Sequence, residues 1–374
     1  MKKNILLSSI LLTIVLLVFL KIDFRFQETV YCCGDDHDYY IHAETIGVDF
    51  DLDYKNQLLG NETRRFNLNN KIAPTGFIGS GFLASPFVFL GHNLDRLING
   101  DADLSTDILN FRILFYSLSS VFYLFATILL TFEILKKLKY RFSHYEVLLF
   151  YFGSGVIYYA FERYSMTHVY EVFSATLIIY LTINFYTLKN KNIYAFLIPL
   201  FIGIGLSVRW VNYFYFLLPF ITKLLLYKKL DSGTSLVKNK YFYISSIFSS
   251  AIFLMHTNLL YGKYTFNPQF VYRTGGQVSN FINRDGDLFN FIQTNIINLF
   301  KILFSQEFGL FWFSPIIFIG LVLSIANLYL NRKRGMPVNL VILFSFVQIF
   351  LVVLLWRSTA SSYGFRYLFS LIPL

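Results

Sequence analysis

Three carboxylates fall within four positions in the stretch Gly34-Asp35-Asp36-His37-Asp38-Tyr39-Tyr40. Like charges so close repel, which raises at least one pKa unless a cation or hydrogen-bond donors offset it. A carboxylate tuned in this way can take a proton from an incoming hydroxyl, so Asp35 and Asp36 are candidate general bases. A solvated acidic turn fits the composition equally well. Cationic groups occur singly, far along the chain. Arg163 and His168 bracket the turn Glu162-Arg163-Tyr164-Ser165-Met166-Thr167-His168, with Glu171 one helical turn further. Arg209 interrupts the apolar stretch 203–210, and Arg273 and Arg366 follow. A guanidinium fork can grip a phosphate through two parallel hydrogen bonds. Each arginine taken alone fits as well as an interfacial anchor, or as the ion-pair partner of Glu162, Glu171 or Glu307.

Other clusters carry less. Asp49-Phe50-Asp51-Leu52-Asp53-Tyr54 alternates carboxylates like a calcium loop, but Tyr54 stands where that loop needs glycine and Gly60 where it needs glutamate. His37 and His42 lie near the acids without a standard zinc spacing, so no metal is expected. Cys32 and Cys33 are adjacent, and a bond between neighbours needs strained geometry; free thiols, a vicinal disulfide and an intermolecular link all stay open. Asn61-Glu62-Thr63 is a glycosylation sequon.

The elements that must position these groups are membrane helices. The chain has 374 residues, 55% hydrophobic and 20% aromatic, with a mean hydropathy of +0.53. Only 14% of residues are charged, against about 25% in a soluble chain. That balance excludes a cytosolic enzyme, a secreted domain and a disordered chain. The net charge of +10 does not indicate nucleic acid, because the basic residues are distributed as a topology signal.

Residues 5–20 form an apolar run after Lys2 and Lys3 with no small-residue cleavage site behind it, and are expected to be an uncleaved anchor. Further spans are expected near 108–135, 144–161, 166–187, 193–207, 210–227, 241–260, 309–330 and 338–356, with 363–374 opening another. The expected fold is an all-α polytopic bundle of about nine to ten transmembrane helices in one domain, 1–374. With Lys2 and Lys3 in the cytoplasm, alternate loops should be basic. They are, at Lys136, Lys137, Lys139 and Arg141, at Lys189 and Lys191, at Lys228, Lys229, Lys238 and Lys240, and at Arg332, Lys333 and Arg334. Residues 21–107, on the opposite side, carry 14 acidic and 7 basic side chains. The two long outer segments, 21–107 and 261–308, each hold a stretch suited to the membrane surface, 77–91 and 288–305. Aromatic residues beside the arginines, among them Trp210, Tyr213, Trp312, Trp356 and Tyr363, suit an interfacial belt, or less often stacking on a sugar.

In this layout the chain resembles the GT-C membrane glycosyltransferases, which include protein O-mannosyltransferases and lipid A aminoarabinose transferases. Asp35-Asp36-His37-Asp38-Tyr39 resembles the Asp-Glu-x-x-Tyr/Phe motif of their first outer loop, with Asp36 in place of glutamate, so which carboxylate is the base stays open. Pro74-Thr75-Gly76 and Pro86-Phe87 resemble a downstream Pro-x-Gly and Pro-Phe pair. Ser165–His168 resembles a Ser-His turn, Gly309–Pro315 a Gly-Leu helix start, and Tyr363-Gly364-Phe365-Arg366-Tyr367 a Phe-Gly-x-Arg-Tyr segment. Family members usually continue beyond this length with further spans, so the chain is expected to be a short or incomplete member.

The resemblance implies an inverting glycosyltransferase without a cofactor. Its donor would be a polyprenyl-phosphate sugar reached from the outer face of a bacterial inner membrane, and its acceptor a lipid, glycan or protein. Asp35 and Asp36 would be catalytic. Asp38, Tyr39, Arg163, His168, Arg209, Arg273, Tyr363 and Arg366 would bind substrate, with Arg209 and Arg366 first in line for the phosphate. A transporter or flippase for lipid-linked sugars is the rival reading; it predicts charges spread through the bilayer depth and, usually, an internal repeat.

Overall fold

A computed structural model describes residues 34–58, 66–68, 71–74, 76–100, 110–188, 190–209, 212–226, 235–266, 288–330, 339–340, 342–347 and 366–373. The expected first anchor at 5–20, Cys32, Cys33, Arg273 and Tyr363 lie outside them.

Helix follows where apolar residues run long and unbroken. The helices are α1 (Gly34–Glu44), α2 (Lys55–Leu58), α3 (Ile78–Asn99), α4 (Phe111–Lys137), α5 (His144–Phe152) and α6 (Val156–Phe161). After them come α7 (His168–Thr187), α8 (Lys191–Val208), α9 (Leu218–Leu226), α10 (Lys240–Tyr261), α11 (Leu288–Phe304), α12 (Leu310–Phe313) and α13 (Pro315–Tyr329). A π-turn, Thr45–Asp49, continues α1, and 3-10 turns cover Tyr213–Phe216 and Arg366–Leu371. The fold is mostly helical; a two-stranded antiparallel hairpin, β1 (Phe66–Leu68) with β2 (Lys71–Ala73), pairs Phe66 with Ala73.

Four helices, α4, α7, α8 and α10, are long and apolar enough to cross a membrane. α7 is central, with α4, α8 and α9 packed around it. Nearly all its side chains are buried, and Ser174, Thr176 and Thr182 return their hydroxyls to carbonyls one turn back at 2.7–2.8 Å, so they add no unmet polarity. By contrast α10 exposes Ile244, Ile247, Phe248, Ile252 and Met255 on one side. An apolar face of that extent belongs against hydrocarbon.

Several expected spans are broken. Residues 144–161 form two short helices, because Gly153-Ser154-Gly155 interrupts them. A Cβ at Gly155 would lie 2.4 Å from the Phe369 ring, so glycine admits that ring into the bundle. The 210–227 stretch divides into a 3-10 turn and the nine-residue α9, and 309–330 breaks at Ser314, before Pro315. Within the expected opening of a further span at 363–374, Arg366–Leu371 forms a 3-10 turn, and Leu368, Phe369, Ser370, Leu371 and Ile372 are all buried. The 77–91 surface stretch is part of a longer helix, α3, 22 residues with Pro86 inside. At Gly81 a Cβ would meet His42 Cβ at 2.4 Å and the Ala43 nitrogen at 2.8 Å, so glycine lets α3 cross α1 backbone to backbone.

The bundle has two chemically different ends. Lys136 and Lys137 close α4, Lys191 opens α8, and Lys238 and Lys240 sit at the start of α10, where Asn239 bonds Asn192 at 3.1 Å. The opposite end gathers the starts of α4 and α7, the ends of α8 and α10, and α1, whose Ile41 packs in one apolar cluster with Tyr54, Ile78, Leu260 and Tyr261.

Candidate functional site

The acidic motif forms the first turn of α1. Asp36 is fully buried, and its Oδ2 accepts from Arg163 Nη2 at 2.9 Å. Asp35, one position earlier, is only half-buried. The two neighbouring carboxylates therefore differ in environment: one is committed to a guanidinium and the other reaches solvent.

Beyond Arg163 the turn leads to Met166, whose sulfur lies 3.8 Å from Arg366 Nη1, and then into α7. His168 Nδ1 sits 3.1 Å from Glu171 Oε1, and Arg209 Nη1 approaches both, at 3.4 Å and 3.2 Å. Thr167 donates to Glu171 Oε1 at 2.8 Å and Asn212 to Oε2 at 3.3 Å, while the Tyr215 hydroxyl donates to the Glu171 carbonyl at 2.8 Å. The Ser370 hydroxyl donates to Asn212 Oδ1 at 3.1 Å. Phe369 and Tyr159 stand edge-on to the His168 ring, and the Arg209 and Arg366 charges both act on that ring. Glu171 is thus the hub that makes a buried Arg209 tolerable.

The sequence candidates divide accordingly. Asp36 and Arg163 meet directly; His168 and Arg209 meet each other and Glu171; Arg366 reaches Met166 in the turn between them. Asp38 and Tyr39 lie on the turn that holds Gly76. Asp38 Oδ2 accepts the Gly76 N–H at 2.9 Å, and a Cβ at Gly76 would press on the Tyr39 ring at 3.0 Å. The Asp49–Asp53 run makes local turns: Asp51 accepts the Asp53 N–H at 3.0 Å, Asp53 the Lys55 N–H at 3.3 Å, and Asp49 the side-chain amides of Asn56 and Gln57. Among the described residues no three His, Cys, Asp or Glu side chains gather as a metal site. Two features lay outside the sequence reading. One is the Asn212–Ser370 support behind Glu171. The other is a second charged cluster, Glu44–Arg112–Asp95.

Behind Asp38 the same glycine anchors His42. The Gly76 carbonyl can only accept, so His42 Nε2 carries the proton at 3.0 Å, and Nδ1 accepts from the Tyr54 hydroxyl at 2.9 Å. Burial holds this imidazole down at about 4, below its ordinary 6.5, partly opposed by the Gly76 bond. Between those values the unfolded chain binds the proton and the fold does not. Stability present above pH 6.5 is therefore lost on acidification toward pH 4, by about 3 kcal/mol at full extent. Melting temperature measured from pH 7 to 4 should fall more steeply in the wild type than in His42→Gln; parallel curves would refute this assignment.

An apolar groove of about 790 Å³ runs between the π-turn, α3, α8 and α10, with Phe50, Phe82, Ile204, Ile252 and Phe253 on its walls and His256 among them. It extends from Ser207, two residues before Arg209, to Leu200, about 10 Å along α8.

Comparison of the chain with protein-family models, with curated proteins and with solved structures finds no match.

Proposed function

We propose that this chain is an integral-membrane glycosyltransferase of the GT-C type. It is multi-pass with a cytoplasmic N-terminus, and sits in a bacterial inner membrane. It moves a sugar from a polyprenyl phosphate to a lipid, glycan or protein acceptor at the outer face. The observation that carries the reading is the convergence of an acid-bearing helix turn with Arg163 and Arg366 at one end of the bundle; the apolar groove along α8 suits a hydrocarbon tail.

In this reading Asp35 is the base, since Asp36 is engaged by Arg163. Asp35 takes the proton of the acceptor hydroxyl. The acceptor oxygen bonds to the anomeric carbon from the face opposite the phosphate. The anomeric C–O bond breaks, and its electron pair leaves on polyprenyl phosphate. Arg163 and Arg366 meet that charge with donors already in place. Arg209 is buried on Glu171 and His168 and acts by holding the α7–α8 end in shape.

Purified protein in nanodiscs should bind radiolabelled polyprenyl phosphate more tightly than the neutral polyprenol. A charge-assisted hydrogen bond contributes about 1.5–3 kcal/mol, so Arg163→Gln and Arg366→Gln should each weaken phosphate binding by about 10- to 150-fold and leave polyprenol binding unchanged. Phosphate binding equal to the wild type in both variants would refute the assignment.

A further inference from the structure

We infer that Arg112, at the start of α4, is a positioning residue that holds the acidic turn of α1 against Arg163; its consequence for catalysis rests on the function proposed above, its geometry does not. α1 has 11 residues, about 16 Å, and is pinned near both ends. At the first turn Asp36 meets Arg163 at 2.9 Å. At the last, Glu44 Oε1 accepts from Arg112 Nη1 at 3.1 Å and from the Tyr40 hydroxyl at 3.2 Å. Asp36, Tyr40 and Glu44 are spaced four apart, so they share one face of the helix.

That face rests on α4. The Tyr40 ring stands edge-on to Tyr116 at 5.2 Å, one turn beyond Arg112. The Tyr116 hydroxyl donates to the Ser165 carbonyl at 3.3 Å, two residues past Arg163. One stretch of α4 therefore supports both partners of the Asp36–Arg163 pair. Arg112 is itself fixed by Asp95 of α3, 3.6 Å from its Nε. Asp95 in turn accepts the backbone N–H groups of Phe111 and Arg112 at 2.8 and 3.0 Å, which caps the start of α4.

The charged groups around Glu44 are Arg112 and Asp49. Burial holds its carboxyl above the usual range, and Arg112 offsets part of that rise. Without Arg112, the Glu44 carboxylate must neutralise or turn toward water. Either change removes the charged anchor of α1 on α4 and leaves the helix to its contacts with α3 and Gly76. A shift of α1 against α4 moves Asp36 relative to Arg163.

A thermal-stability double-mutant cycle reads this directly. Asp36→Asn, Arg163→Gln and the double variant are compared in the wild type and in Arg112→Gln. The pair should be strongly non-additive in the wild type, and the non-additivity should fall by more than half without Arg112. Arg112→Lys should keep more than half of it. Undiminished non-additivity in Arg112→Gln would overturn the inference. Glu44→Gln, which removes the charge and keeps the shape, gives the same reading if Arg112→Gln does not fold. The cycle needs no substrate, so a wild type that transfers no sugar would defeat the proposed function and leave this test standing.

Discussion

Glu171→Ala is expected to destabilise the fold by about 3–5 kcal/mol, the cost of removing one partner of a buried ion pair. Glu171 is fully buried and receives Arg209, Thr167 and Asn212, with His168 against the same oxygen. Removing it leaves a guanidinium with little solvent and a set of donors without their acceptor. Glu171→Gln should cost less, since an amide oxygen still accepts. Replacing Glu171 and Arg209 together by methionine should recover much of the loss, because paired charges can be exchanged for apolar volume at little cost. Reversible denaturant unfolding in mixed micelles measures all three. A loss under about 1 kcal/mol for Glu171→Ala would show that Arg209 does not depend on it.

Asp35→Asn is expected to reduce sugar transfer by about 10²- to 10⁴-fold, the usual contribution of a positioned base, with little change in melting temperature, since Asp35 is half-buried. Asp36→Asn should reduce both activity and stability, because it removes a charged partner of Arg163 at a position with no exposure. The contrast between neighbouring residues would separate the proposed base from the group that holds Arg163, the proposed phosphate ligand. Equal losses of activity and stability in both variants would remove that distinction.

Much of the bundle is legible in the sequence because apolar length is a strong local signal. The four helices long and apolar enough to cross a membrane match the expected spans at 108–135, 166–187, 193–207 and 241–260 to within a few residues. An arginine inside an apolar stretch needs a partner, and Glu171 is one of the three carboxylates the sequence offers Arg209. The breaks are not legible. Gly153-Ser154-Gly155 reads as tolerable inside a hydrophobic run, and only the Phe369 ring, more than 200 positions away, explains the gap. Asp38 is a further case. Its position in the acidic motif points to substrate, and its bond to the Gly76 N–H, 38 residues on, is invisible without the fold. Glu44–Arg112 joins residues 68 apart, each ordinary in its own segment. Such long-range pairs leave no periodicity behind, so spacing locates the elements and says little about which charges meet between them.

The most direct measurement follows both halves of the donor in proteoliposomes. Polyprenyl-phosphate sugars are supplied as a panel, and the wild type is compared with Asp35→Asn. The wild type should release free polyprenyl phosphate one-for-one with glycosylated acceptor, with the anomeric configuration inverted, and Asp35→Asn should release almost none. Movement of intact donor across the bilayer with no cleavage, or equal cleavage by the two proteins, would contradict the account.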